Sequence, residues 1–167
     1  VAPEHFSTVL YFLNQAGCDI ISNNRAVRVK STGRLKAPGE ISTQPYPGFP
    51  TDAQPVLMAA LLQAEGCTEI TENIFENRFK ICSELTKMGA HIEVRGSEVK
   101  ICGSRLKGCR LRAEELRGGA ALVIAALAAD GESVIEGVPF IRRGYEDICR
   151  DLRYLQAEIY MEDILSV

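Results

Sequence analysis

Tryptophan is absent from the chain, and histidine occurs only as His5 and His91. Neither histidine has a partner at a recognisable ligand spacing. None of the six cysteines (Cys18, Cys67, Cys82, Cys102, Cys109, Cys149) forms a C-x-x-C pair. That argues against a zinc site, so no metal and no cofactor is expected. Basic charge is not in excess: 19 Lys and Arg stand against 22 Asp and Glu, for a net charge of −3. Bulk electrostatics therefore lend no support to a nucleic-acid partner. No apolar run approaches the roughly 20 residues of a membrane span. The opening Val1-Ala2-Pro3-Glu4-His5 is neither basic nor followed by the apolar segment of a signal peptide. Several cysteines lie inside apolar patterns, as free buried thiols do in reducing compartments. The expectation is a cytoplasmic protein with free thiols and no membrane contact.

What is present suits a soluble α/β domain. Of the 167 residues, 46% are hydrophobic and 25% charged, enough for one domain with a sizeable core or one assembled from smaller repeats. Phe6, Val9, Leu10, Leu13 and Ala16 recur at a helical period, and Gly17 marks the stop. Cys18–Ile21 and Ala26–Lys30 alternate as strands around a polar turn. Ser31 to Glu40 is a basic connection, and Ile41-Ser42-Thr43 a short strand. A helix is predicted from Asp52 to Ala64, with Leu57, Met58, Leu61 and Leu62 on one broad face. A strand follows at Thr68–Glu72, then a loop at Asn73–Asn77. A second helix, Arg78 to Met88, presents Phe79, Cys82, Leu85 and Met88 inward. Ala90–Val94 and Glu98–Cys102 then form a hairpin.

The order recurs. Leu116-Arg117-Gly118-Gly119 opens an apolar helix running from Ala120 to Ala129, followed by a strand at Ser133–Glu136 and a loop from Val138 to Gly144. A helix is predicted at Tyr145–Leu155, with Ile148, Leu152 and Leu155 inward, and a strand at Ala157–Tyr160. Gly66 falls on Gly131 and Phe79 on Glu146, a period of 65 to 67 residues. We expect a single domain of repeated βαβαββ units, at about 1–40, 41–106 and 107–167, with helices inside and sheets outside. The array is entered and left mid-repeat, which points to circular closure or to a fragment.

Four places could carry chemistry. In Tyr46-Pro47-Gly48-Phe49-Pro50-Thr51-Asp52, a proline-stiffened loop delivers a carboxylate to a helix start. Asp52 reads there as an N-cap, with Thr51 beside it, or as a group that orients or deprotonates a hydroxyl. Arg117-Gly118-Gly119 could hold an oxyanion at the start of the other apolar helix, or be a tight loop with a surface arginine. Arg142-Arg143 precede a helix, where basic residues oppose the macrodipole, so they are an anion site or solvated charge. In Phe75-Glu76-Asn77-Arg78-Phe79, Asn77 reads as a cap and Phe79 as core, while Phe75 faces either the core or a ligand.

Taken together, Pro47-Gly48-Phe49-Pro50-Thr51-Asp52-Ala53-Gln54, Phe75-Glu76-Asn77-Arg78-Phe79, Met88-Gly89-Ala90, Leu116-Arg117-Gly118-Gly119-Ala120-Ala121-Leu122-Val123 and Arg143-Gly144-Tyr145-Glu146 resemble the UDP-N-acetylglucosamine enolpyruvyl transferase (1-carboxyvinyltransferase) family. The resemblance covers essentially the whole chain and points to the C-terminal portion of that enzyme. It implies an inside-out α/β barrel, incomplete at its N-terminal end. It implies transfer of enolpyruvyl from phosphoenolpyruvate to the 3-hydroxyl of UDP-N-acetylglucosamine, with release of phosphate, in peptidoglycan synthesis. Asp52 would bind the hydroxyl and act as base. Ile74 would contact the nucleotide sugar through its backbone with Phe75 alongside, Arg143 would engage phosphoenolpyruvate, and Arg117 would line the cleft. Thr51 and Arg78 would support them. The family's cysteine loop and further clamps belong to another domain of the same polypeptide, so this chain is expected to be inactive alone. Gln156 stands where the family has glycine, and Glu115 near where it often has aspartate. A shikimate-pathway enolpyruvyl transferase and a non-catalytic βαβ-repeat module, for instance one binding RNA, are the competing readings.

Overall fold

The computed structural model describes residues 2–31 and 33–162. A 3-10 turn at Pro3–Phe6 runs into α1 (Ser7–Gln15), and β1 (Asp19–Ser22) and β2 (Val27–Lys30) form a hairpin. Next come β3 (Glu40–Ser42), α2 (Gln54–Leu61) and β4 (Cys67–Thr71). A 3-10 turn at Arg78–Ile81 continues as α3 (Cys82–Lys87), which leads to the hairpin of β5 (His91–Arg95) and β6 (Glu98–Cys102). The order is then β7 (Arg110–Arg112), α4 (Leu116–Leu127), β8 (Val134–Glu136), α5 (Val138–Ile141) and α6 (Ile148–Tyr154). No helix among the described residues is long and apolar enough to cross a membrane.

Helices α2 and α4 pack against each other and supply much of the core. Leu57, Met58, Leu61 and Leu62 are all buried, as are Ala121, Leu122, Val123 and Ala125. Each large side chain removed from water here contributes about 1.5–3 kcal/mol before entropy is counted. Three sheets accompany this pair among the described residues. The largest has the order β3-β4-β6-β5, with β3 parallel to β4 and the other pairs antiparallel. Its alternation is plain in β6, where Val99 and Ile101 are buried and Glu98 and Lys100 exposed.

The backbone bridges recur along the chain. Glu65 N–H donates to the Leu35 carbonyl, and Asp130 N–H to that of Leu106. Lys36 N–H donates to Ala16, and Lys107 N–H to Met88. Parallel β3–β4 is matched by parallel β7–β8.

Five expectations need correction. Cys67 and Cys102 form a disulfide, so the chain does not carry six free thiols. They are directly opposed in the β4–β6 register, and since Gly66 and Gly103 beside them share a ladder hydrogen bond, they occupy the closer, non-hydrogen-bonded pair site. Val138–Ile141 is a helix, because Pro139 fits its opening turn and Arg142 N–H closes onto the Val138 carbonyl. The segment Ala157–Tyr160 is not a strand; no β partner lies alongside it among the described residues. Leu155 lies past the end of α6 and is exposed, unlike Ile148 and Leu152. Asn77 does not cap with its side chain; it takes the left-handed conformation (φ 57°) before the 3-10 turn.

Candidate active site

The N-terminal ends of α2 and α4 lie together, and their side chains meet. Asp52 sits in the turn before α2, where it does not cap the helix: the N-cap is Ala53, without a side-chain bond. The Asp52 Oδ1 atom instead accepts from Arg117 Nε at 2.5 Å. Its carboxylate is 63% exposed, so it faces solvent beside the interior helices. Arg78 Nη2 approaches the same oxygen at 3.6 Å and donates to Thr51 Oγ1 at 3.2 Å. The hydrogen bond from Arg117, helped by the charges of Arg117 and Arg78, outweighs desolvation and holds the Asp52 carboxyl below the usual carboxylate range. The same hydrogen bond pushes Arg117 up.

Arg117 lies in the first turn of α4, where a cation opposes the helix dipole. Glu115 offsets this: as N-cap it accepts from Arg117 N–H at 2.9 Å and from Gly118 N–H. Gly118 and Gly119 serve packing here. A Cβ on Gly118 would stand 2.6 Å from Glu115 Oε1, and one on Gly119 2.6 Å from Ile141 Cγ1. Small residues thus admit the cap and α5 to the helix.

Arg78 is 7% exposed, and its Nε has no partner. Its guanidinium lies 4.2 Å from the centre of the Phe75 ring, a cation–π contact. Phe75 and Ile74 are exposed, which resolves the choice for Phe75 in favour of the surface. Phe79 is core. Arg143 is exposed in the turn after α5. The neighbouring Gly144 backbone packs on Leu116, the first residue of α4, and Tyr145 lies close enough to raise the Arg117 titration. The structure thus gathers Thr51, Asp52, Arg78 and Arg117 into one cluster, with Ile74 and Phe75 on one flank and the Arg143 turn on another.

Sequence reasoning overlooked Glu72. Its carboxylate is buried and accepts from Thr43 Oγ1 (2.8 Å), Ile74 N–H (2.9 Å), Phe75 N–H (3.0 Å) and Thr51 Oγ1 (3.0 Å). The alternation of β4 carried the signal: Thr68 and Ile70 face inward, and Glu72 shares their face.

A carboxylate fixed among arginines at the adjoining starts of α2 and α4 marks an α/β domain with a charged cluster open to solvent. The family model for EPSP synthase (3-phosphoshikimate 1-carboxyvinyltransferase) matches residues 2–152, and the chain belongs to that family. The UDP-N-acetylglucosamine 1-carboxyvinyltransferase of Desulfofundulus thermocisternus is 46% identical over 161 residues, which cover 96% of this chain and 66% of that protein. The protein of the same name from Koribacter versatilis is 48% identical over 158 residues, covering 94% of this chain and 36% of its own length. Among solved structures, the enolpyruvyl transferase NikO from Streptomyces tendae superposes with a TM-score of 0.81 at 29% identity, over 92% of this chain and 36% of that one. The chain thus spans only part of the curated relatives it matches.

Proposed function

We propose that this chain is one domain of a cytoplasmic enzyme that transfers enolpyruvyl from phosphoenolpyruvate to the 3-hydroxyl of UDP-N-acetylglucosamine, a step of peptidoglycan synthesis. The observation that carries the reading is the ion pair of Asp52 and Arg117 at the adjoining starts of α2 and α4, with Arg78 behind it. The relatives' names favour the sugar nucleotide over shikimate 3-phosphate as acceptor. The recurring backbone bridges support a single domain of three units, at about 1–40, 41–106 and 107–167, of which residues 1, 32 and 163–167 lie outside the described part.

In this reading Asp52 binds the sugar 3-hydroxyl and takes its proton as the oxygen attacks C2 of phosphoenolpyruvate. An acid outside this chain protonates C3 in the same step, and the tetrahedral adduct then gives up a C3 proton as phosphate leaves, which restores the double bond in the enol ether product. Arg117 and Arg143 hold the anionic groups, while Ile74 and Phe75 meet the nucleotide sugar. While paired with Arg117, Asp52 is a weak base. An anion that draws Arg117 away restores the carboxylate's basicity where the hydroxyl sits. Arg78 and Thr51 keep the carboxylate in place.

The remaining clamps and the acid belong to another domain of the polypeptide, so the chain alone binds but does not turn over. The test is twofold. Calorimetric titration should show saturable binding of UDP-N-acetylglucosamine and none of shikimate 3-phosphate or a single-stranded RNA. Phosphate release from both substrates should stay at background. RNA binding in place of sugar-nucleotide binding would refute the enzymatic reading, and phosphate release would refute the inactivity of the isolated chain.

A further inference from the structure

We infer that Glu72 is the positioning residue that holds the hydroxyl-binding carboxylate and the nucleotide-sugar loop at a fixed spacing. The inference rests on the functional reading above for the roles of Asp52, Ile74 and Phe75, and on geometry for the rest. Glu72 is 5% exposed, and its two oxygens serve two different segments. The Oε1 atom accepts from the Ile74 and Phe75 amides, 2.9 and 3.0 Å away, and from Thr43 Oγ1 at 2.8 Å. The Oε2 atom accepts from Thr51 Oγ1 at 3.0 Å, and Thr51 precedes Asp52 and takes a further bond from Arg78. One rigid carboxylate therefore ties the 72–75 loop to the Thr51–Asp52 turn, two segments joined in sequence only through α2 and β4.

The carboxylate is itself anchored. Glu72 N–H extends the β4–β6 ladder by donating to the Ser97 carbonyl. Asn73 fastens the next residue to β3: its N–H donates to Thr43 Oγ1 and its Nδ2 to Ser42 Oγ. Movement at the exposed Ile74–Phe75 edge is thus passed to the Asp52 turn through Glu72 and Thr51. Binding at one and placement of the other become linked.

Three variants of the chain separate positioning from simple stability: Glu72→Gln, Glu72→Ala and Thr51→Val. An amide side chain keeps an oxygen for the Ile74 and Phe75 amides and can donate to Thr51 Oγ1, whereas alanine keeps neither. Amide hydrogen exchange by NMR, without ligand, should show Ile74 and Phe75 exchanging about tenfold faster or more in Glu72→Ala. In Glu72→Gln they should stay within about threefold of the parent. The β5–β6 amides are the internal reference for global stability. Thr51→Val should leave the Ile74 and Phe75 amides protected and shift the Asp52 carboxylate resonance. In titrations with UDP-N-acetylglucosamine, Glu72→Ala should weaken binding about tenfold or more, and Glu72→Gln should rescue it.

Unchanged Ile74 and Phe75 exchange in Glu72→Ala would overturn the inference, as would equal losses in the glutamine and alanine variants. If Glu72→Ala does not fold, the glutamine and Thr51→Val results decide: lost protection in the first, or an unmoved Asp52 resonance in the second, overturns it. A parent chain that binds no sugar nucleotide refutes the functional reading instead, because the exchange experiment needs no ligand.

Discussion

Asp52 and Arg117 stand 65 residues apart in sequence and share a hydrogen bond of 2.5 Å. The contact exists because α2 and α4 lie side by side with their N-terminal ends adjoining. It sets the state of the carboxylate. The Asp52 pKa is lowered first by the Arg117 hydrogen bond. Since the folded value lies below that of the unfolded chain, about 3.9, the pair's contribution to stability is complete above that value. It is lost as pH falls through the lower, folded value. Carboxylate-detected NMR should find Asp52 titrating below the usual carboxylate range, and Arg117→Ala should move it upward. An unchanged midpoint in the variant would show that the pair does not persist in solution.

Arg78 is a different kind of arginine. Its side chain is 4% exposed, stacked on Phe75 and bonded to Thr51. Arg78→Ala removes both contacts and the approach to Asp52, and leaves a cavity where the buried side chain was. Urea unfolding should show a loss of about 2 kcal/mol. Arg78→Lys should recover only part of it, because an ammonium cannot reproduce the planar stack. A loss within experimental error would mean that Arg78 is dispensable to the site's framework.

Gln156 takes a left-handed backbone conformation, φ 67°, just after α6. After α1 and α3 the same place is held by Gly17 and Gly89, also at positive φ. A side chain there is strained by roughly 1 kcal/mol, so Gln156→Gly should stabilise the fold by about 0.5–1 kcal/mol. That corresponds to a rise of roughly 2 °C in Tm by calorimetry. A fall in Tm would show that the strain is relieved some other way.

The thiols divide by burial. Cys18, Cys82 and Cys149 are buried and Cys109 is half-buried. Burial pushes the Cys82 thiol up to about 12, leaving almost no thiolate at neutral pH. Native alkylation followed by mass spectrometry should label Cys109 first and Cys82 last, with Cys67 and Cys102 protected until a reductant is added. Early labelling of Cys67 or Cys102 without reductant would mean the disulfide is open.

Much of this arrangement is legible in the amino-acid order, and the exceptions have physical causes. Helical and two-residue periods locate α1 to α4 and β1 to β6 because burial enforces them. The repeat spacing also puts Asp52 and Arg117 at matching points. Their contact, however, depends on how α2 and α4 pack, which no local pattern states. For the same reason Asp52 reads locally as a cap: the three-residue turn that swings it away from α2 is a tertiary outcome. The disulfide needs the β4–β6 register, and cysteine spacing alone does not supply it. In Val138–Ile141, proline and a preceding glycine look like a loop although they start a short helix. Glu72 is signalled by the alternation of its own strand, which turns its carboxylate inward with Thr68 and Ile70.

The most direct test asks whether Asp52 touches the sugar hydroxyl. UDP-N-acetylglucosamine and its analogue lacking the 3-hydroxyl are titrated into the chain, while the Asp52 carboxylate carbon and the Ile74 and Phe75 amides are followed by NMR. The amides should move with both ligands, and the Asp52 carbon only with the ligand that carries the hydroxyl. An Asp52 resonance that ignores UDP-N-acetylglucosamine, or responds equally to both, would contradict the account.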